Sequence, residues 1–409
     1  MKKVIIFAIL MCMLCGCHRS VPTVEFEPME FVEEETVSSV PEVYYCPPGQ
    51  MSQHKEVNLD VGEVSDMSFL MEWIEVSIPQ DAQLVSYYLY EDKLYYSYNF
   101  YHYLSNHMED KEKMLSDEAY NTKLMCYDIG EKTTTEVISY PVNSEISRIN
   151  VSGEYLSFNL WSTTNLLYDD LMDFEQEFRA VFVKLDETGP EEVELTNLTM
   201  TNLYFFSIAD GMYALASNVT GRSTINEIAK INMEKDLVEY IILDREYTEV
   251  NYSKGYLICE DWNEELQKID IYNLDGEYVM GFKVGGYIGN AICNDKICAW
   301  ITEETERDGC LIYVYSYERD AISVIESESY IPWIECDGDR VYFAGGIDGG
   351  ISCYDSRLDI VCKGLITGMN YQIESGEGKG IFGTVSVSIS STPKTDEEGR
   401  IVYSFYRIK

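Results

Sequence analysis

One pattern recurs seven times along this chain: a polar turn followed by two or three apolar residues. The copies read EDKLYYSY, SGEYLSFNLW, ADGMYALAS, SKGYLICEDW, NDKICAWI, GDRVYFAGG and GKGIFGTVSV. Their last turn residues are Lys93, Glu154, Gly211, Gly255, Lys296, Arg340 and Lys379. Turn chemistry between alternating apolar runs specifies an antiparallel hairpin. A second pair of strands follows most copies, for example KLMCYD with TEVISY at 123–140 and LIYVYSY with AISVIES at 311–327. The unit is therefore four short strands in roughly 40–45 residues, repeated, which is the length of a β-propeller blade. Solenoid repeats are shorter or helical, and an immunoglobulin array needs about twice the period.

Closure gives this reading a test. The seventh copy runs out at Arg400–Lys409 with three strands and no fourth. A matching strand stands at the other end of the domain. WIEVSIP at 73–79 resembles TEVISYP at 135–141, and in each the proline precedes the next inner strand by the same interval. Trp73–Ile78 should therefore pair with the strand at 401–407 and remove an open sheet edge. The expected fold class is all-β, a seven-bladed β-propeller over residues 57–409, with an N-terminal strand closing the last blade.

The chain resembles bacterial propeller proteins of the WD40-like and TolB-like type, at the level of repeat pattern over about residues 66–409. The Gly-His and Trp-Asp signatures of true WD repeats are missing. Propellers host binding platforms and several enzyme classes, so the fold leaves function open.

The first residues, MKKVIIFAILMCMLCGC, have a basic start and an apolar run of eleven residues, Val4 to Leu14. That run suits a signal peptide and is too short for a spanning helix. Leu14-Cys15-Gly16-Cys17 resembles a bacterial lipobox. The resemblance implies cleavage after Gly16, so that residues 1–16 are a signal peptide, and lipidation of Cys17. A lipid anchor would place the mature protein on the extracytoplasmic face of a cell membrane, its acyl chains each adding ~0.8 kcal/mol per buried methylene. Residues 17–56 are rich in Glu, Val, Pro and Ser without helical or alternating period, which predicts a flexible acidic tether.

Formal net charge is −41. Such a field repels phosphate, so nucleic acid is not an expected partner. Cationic peptides, divalent ions and neutral glycans are not repelled. Cysteines besides Cys17 show no zinc-type spacing, and free thiols are expected, although Cys293 and Cys298 flank one short turn and Cys353 and Cys362 another.

In a four-stranded blade, the loop after the second strand and the loop before the first lie at one end, and the hairpin turns lie at the other. The hairpin turns here are short and uniform. The loops after the second strands vary, and two are long, Phe100 to Asn121 and Ser162 to Glu177. Ligand chemistry is expected at that variable end. Seven residues past the last turn residue of the first five copies stand Phe100, Trp161, Asn218, Trp262 and Glu303. The aromatics Phe100, Trp161 and Trp262 are candidates for stacking on a sugar or peptide, with Asp261 and Glu303 as acidic neighbours. The competing expectation is that these rings pack under their own loops. Both long loops carry short helical patterns, one of them the stripe Leu167, Leu171, Phe174 and Phe178.

No G-x-S-x-G elbow and no sialidase-type box occur in the sequence, and inner-strand carboxylates are scattered, so no catalytic residue, metal site or cofactor is assigned. The sequence favours a binding or sensing propeller without catalysis. Its alternatives are a glycan lyase or hydrolase, and an assembly partner of another cell-envelope protein.

Overall fold

The computed structural model describes residues 43–46 and 71–408. Outside the description lie 1–42, 47–70, 409 and the connections 107–110, 164–175, 187–188, 194–202, 209–210, 217–224, 233–236, 262–266, 304–308, 328–330, 332, 345–349, 359, 368–369, 375–380 and 387–393. Cys17 and Trp262 therefore lie outside the described residues, as do the signal segment and most of the tether.

The described strands form seven sheets. The first sheet orders Gln83–Tyr90, Lys93–Asn99, Thr122–Asp128 and Thr133–Tyr140 side by side, each antiparallel to the next. Five further sheets repeat this order, led by Ser144–Ser152, Leu203–Ile208, Glu249–Ser253, Tyr287–Cys293 and Trp333–Asp337. The seventh begins with Asn370–Glu374, Ile381–Ser386 and Ile401–Ile408. Its fourth strand is Met71–Ile78. Trp73 lies opposite Tyr406 and Ile78 opposite Ile401, which is the pairing the sequence predicts.

Apolar side chains from successive sheets meet face to face. Ile74, Val76 and Phe405 of the seventh sheet share a core with Leu94 and Tyr96 of the first. Tyr95 and Leu124 of the first meet Ile146, Phe158 and Val181 of the second. Ile258 and Phe282 of the fourth meet Trp300 and Tyr313 of the fifth, where the Trp300 and Tyr313 rings lie parallel, 5.4 Å between centroids. Ile297 and Ile312 of the fifth meet Ile334, Val341 and Tyr354 of the sixth. Burial on both faces is clearest in the fifth sheet, where all seven residues of Cys310–Ser316 are buried and the strand is a near-continuous apolar run.

Polar side chains link neighbouring sheets. Ser97 Oγ donates to the Ile146 carbonyl at 2.7 Å. Ser253 Oγ donates to the Cys293 carbonyl at 2.8 Å and accepts from the Cys293 amide at 3.0 Å. Asn294 Nδ2 donates to the Gly338 carbonyl at 2.9 Å. These bonds satisfy backbone groups at buried junctions between sheets, where an unmade bond costs about 1–3 kcal/mol.

Two sequence expectations need correction. Val43–Cys46 is not flexible coil: it pairs in parallel with Gly281–Val284 as a fifth strand on the fourth sheet. The reason is that the outermost strand of that sheet offers an unpaired edge. Phe178 does not extend a helix, because it sits in the strand Gln176–Asp186. The first long loop does carry short helices, Tyr101–Asn106 and Lys111–Ser116. Cys293 and Cys298 stand directly opposite each other and remain thiols, like Cys126, Cys259, Cys310, Cys336 and Cys353. Burial raises the pKa of the Cys259 and Cys336 thiols, which keeps them protonated.

Arg407 ties the closure together. It is only 8 % exposed. Its Nε donates to the Glu72 carboxylate at 2.9 Å, across the strand pair. Its Nη1 donates to the Glu91 carbonyl and to the Asp92 carboxylate, both at 2.9 Å. One guanidinium thus joins the first strand of the domain, the last strand and the first hairpin turn. Replacing Arg407 by Met should lower unfolding free energy by about 2 kcal/mol, because the half-buried Glu72 carboxylate loses its partner. Adding Glu72→Gln should recover part of that loss in urea or thermal unfolding.

Candidate functional site

Strand direction alternates within each sheet, so each inner strand begins where its neighbour ends. The register fixes which residues meet at or beside that end: Gln83 with Asn99, Glu145 with Trp161, Leu203 with Ala216, Glu249 with Glu260, Tyr287 with Glu303, Trp333 with Ala344 and Asn370 with Ser386. No Lys or Arg occupies these positions, whereas carboxylates and aromatics are frequent there. The hairpin turns at the opposite end carry both signs, Lys93, Lys254, Lys296 and Arg340 beside Glu91, Asp92, Glu154, Asp295 and Asp339. Like charges directly opposed across strands, as at Glu249 and Glu260, are locally unfavourable.

Phe100 is only 4 % exposed and belongs to the core. Its ring packs edge-on against Tyr98 at 6.0 Å and Tyr120 at 5.4 Å, with Leu104 and Met114 of the insert buried beside it. Phe100 is therefore packed rather than presented, as the competing expectation held, because the helices of its own loop cover it. Trp161 is half-buried and meets Tyr101 of the first sheet's insert edge-on at 6.0 Å. Asp261 ends its strand opposite Lys268 and is half-buried. Glu303 lies between Tyr287 and Cys310 in register. The described candidates thus stem from four different sheets, the first, second, fourth and fifth.

Two residues that the sequence reading missed stand out. Tyr287 and Trp333 are 46 % and 49 % exposed. Each is the first residue of an inner strand, and the two strands are neighbours. Counting along second strands from the hairpin turns passes these positions by. The bulge between Ile288 and Asn290 further shifts the register there. A usable signal exists: an aromatic opening an inner strand, after Gly-Gly at 285–286 and after Ile-Pro at 331–332.

A second locus lies between the first and second sheets. Asn99 Nδ2 donates to the Glu145 carboxylate at 3.4 Å, and Asn99 Oδ1 accepts from the Tyr101 amide at 3.3 Å. Burial raises the Glu145 pKa, and the Asn99 bond offsets part of that shift. A carboxyl whose pKa is raised, opposite Trp161 in register, is the kind of group that can serve as an acid toward a bound oxygen. On the inner strand of the sixth sheet, burial likewise raises the Glu335 pKa, opposed by Lys254 and by the Cys336 amide. Among the described residues, no group of three His, Cys, Asp or Glu side chains is placed to hold a metal ion.

No protein-family model and no curated protein matches the sequence. Solved structures do resemble it. The β-propeller domain of the trilobed protease from Pyrococcus furiosus matches at TM-score 0.49 and 11% identity, over 80% of this chain and 95% of that one. Acylaminoacyl peptidase of Pyrococcus horikoshii matches at TM-score 0.48 and 11% identity, over 80% of this chain and 52% of that one. TolB from Acinetobacter baumannii matches at TM-score 0.34 and 10% identity, over 71% and 78%. The chain spans about half the length of the acylaminoacyl peptidases it matches. Structural neighbours are thus β-propeller proteins, while the strand order and register above carry the fold by themselves.

Glu145 yields a pH prediction. Its folded-state pKa lies above the ordinary value, so ionisation costs stability once pH exceeds that raised pKa. Glu145→Gln should stabilise the protein at about pH 7. The gain should vanish below about pH 4, where both states of the parent are mostly protonated. Thermal unfolding across pH measures this directly.

Proposed function

We propose that this chain is a seven-bladed β-propeller, anchored through a lipidated Cys17 to the extracytoplasmic face of a bacterial membrane. It binds a protein, peptide or glycan at the end where inner strands begin, without transforming it. The observation that carries the binding reading is the exposure of Tyr287 and Trp333 on adjacent inner strands. Large aromatic rings left open to water at the end of a well-packed sheet are typical anchors of binding surfaces. The seven-bladed reading is supported by seven sheets, with the seventh packed on the first and completed by Met71–Ile78. The anchor reading is supported by the Leu14–Cys17 motif.

Glu145 favours a second reading, a carbohydrate-active enzyme with this carboxyl as acid and Trp161 as a sugar platform. Incubating the full-length protein with polysaccharide libraries separates the two. The binding reading predicts retention without new reducing or unsaturated ends. Product release that Glu145→Gln abolishes would establish the enzyme instead.

Anchoring has its own test. Cys17→Ala should move the protein from the membrane fraction to the soluble fraction or block its processing, and should abolish incorporation of labelled palmitate. An unchanged membrane fraction would sink the anchor.

A further inference from the structure

We propose that Cys293 and Cys298 form a thiol–disulfide exchange site, which takes a small disulfide as oxidant and ends as a bridge across the leading hairpin of the fifth sheet. This is independent of the binding reading above.

Three observations converge. First, the two residues stand directly opposite each other, so their side chains leave the same face of the hairpin. Second, the backbone shows which kind of pair they form. The Asn294 amide donates to the Ile297 carbonyl at 2.9 Å. The Cys293 amide and carbonyl turn away from Cys298 and bond Ser253 Oγ at 3.0 and 2.8 Å. Cys293 and Cys298 are therefore a non-hydrogen-bonded pair, in which Cα atoms approach to about 4.5 Å. A disulfide needs Cα atoms roughly 4.4–6.8 Å apart, so side-chain rotation can join the sulfurs without moving the strands. Third, both thiols are gathered about one phenol. Tyr317 Oη lies 3.0 Å from Cys293 Sγ, and burial, with Cys298 and Cys293 beside it, raises the Tyr317 pKa. A bridged sulfur carries no proton, and a phenol kept protonated can still donate to it.

Other described thiols lack this arrangement. Cys126 stands opposite Tyr95 and Thr135, Cys259 opposite Val250 and Asp270, and Cys336 opposite Val341. Cys310 stands opposite Glu303 and Ser327. Cys353 does stand opposite Cys362, but a bulge interrupts the pairing beside it.

One cysteine, as thiolate, attacks a sulfur of the oxidant, giving a mixed disulfide and releasing one small thiol. The second cysteine then attacks the protein sulfur of that mixed disulfide, which closes the bridge and releases the second small thiol. Two electrons and two protons pass from the cysteines to the oxidant. Both cysteines are buried, while Asp295 and Lys296 between them are exposed, so the oxidant enters when this turn opens. The bridge then locks the turn whose Asn294 side chain holds the Gly338 carbonyl of the sixth sheet.

The test incubates the full-length protein with oxidised glutathione in dilute urea, traps the remaining thiols with iodoacetamide and maps peptides by mass spectrometry. A linkage between positions 293 and 298 should form with loss of two hydrogens, and dithiothreitol should reverse it. The oxidised parent should unfold at a higher urea midpoint than the reduced parent. Cys298→Ala should abolish that shift, and Cys353→Ala should leave it in place. Mapping uses the parent chain, so it decides the matter even where a variant fails to fold. Both cysteines trapped by iodoacetamide after exposure to the oxidant would overturn the inference. So would a linkage of either one to a different partner, glutathione included, or a midpoint shift that persists in Cys298→Ala.

Discussion

The pairing of Met71–Ile78 with Ile401–Ile408 is the interaction on which the other sheets depend. It joins the two ends of the domain, yet the entropic cost of closing so long a loop grows only slowly with its length. The register is strongly specified. Ile74, Val76 and Ile78 are all buried, and a slip of one residue would turn that face to water and bring Glu75 and Ser77 inward. Arg407 adds a polar check on the same register, since only the observed alignment sets it opposite Glu72 and within reach of the Glu91–Asp92 turn. Apolar burial supplies the drive, and the guanidinium supplies the alignment.

Closure also explains how a set of small sheets presents a functional end. Each sheet is a meander, so its inner strand begins beside the end of its second strand. Ser253 to Cys293 holds two successive inner strands together, and Ser97 to Ile146 ties the second strand of the first sheet to the inner strand of the second. Residues far apart in sequence, such as Glu145, Tyr287 and Trp333, then share an end without any loop having to place them. Sites carried on strand ends are better positioned than sites on loops.

Much of the fold was legible because its signals are local. A hairpin announces itself by turn residues between apolar runs, and all seven leading hairpins form where that chemistry stands. The closing strand was legible through the likeness of WIEVSIP to TEVISYP. Val43–Cys46 was not, because a parallel strand added to an outer edge has no turn signal and only four residues. The site was less legible than the fold. Phe100 looks like a rim aromatic when counted along its strand, but Leu104, Met114 and Tyr120 of the following insert enclose it. Tyr287 and Trp333 carry a sequence signal only as aromatics opening inner strands, which a count along second strands passes by. Their exposure is a tertiary property that turn and strand signals do not report.

The most direct measurement of closure is a cysteine crosslink across the closing pair, Glu75→Cys with Ser404→Cys, located by peptide mass mapping after mild oxidation. These two residues stand directly opposite in register. The account predicts that a disulfide between positions 75 and 404 forms in nearly all folded molecules of this double variant. Glu75→Cys with Val402→Cys, two residues out of register, should crosslink far less. A crosslink absent from the matched pair, or favoured by the mismatched one, would contradict it.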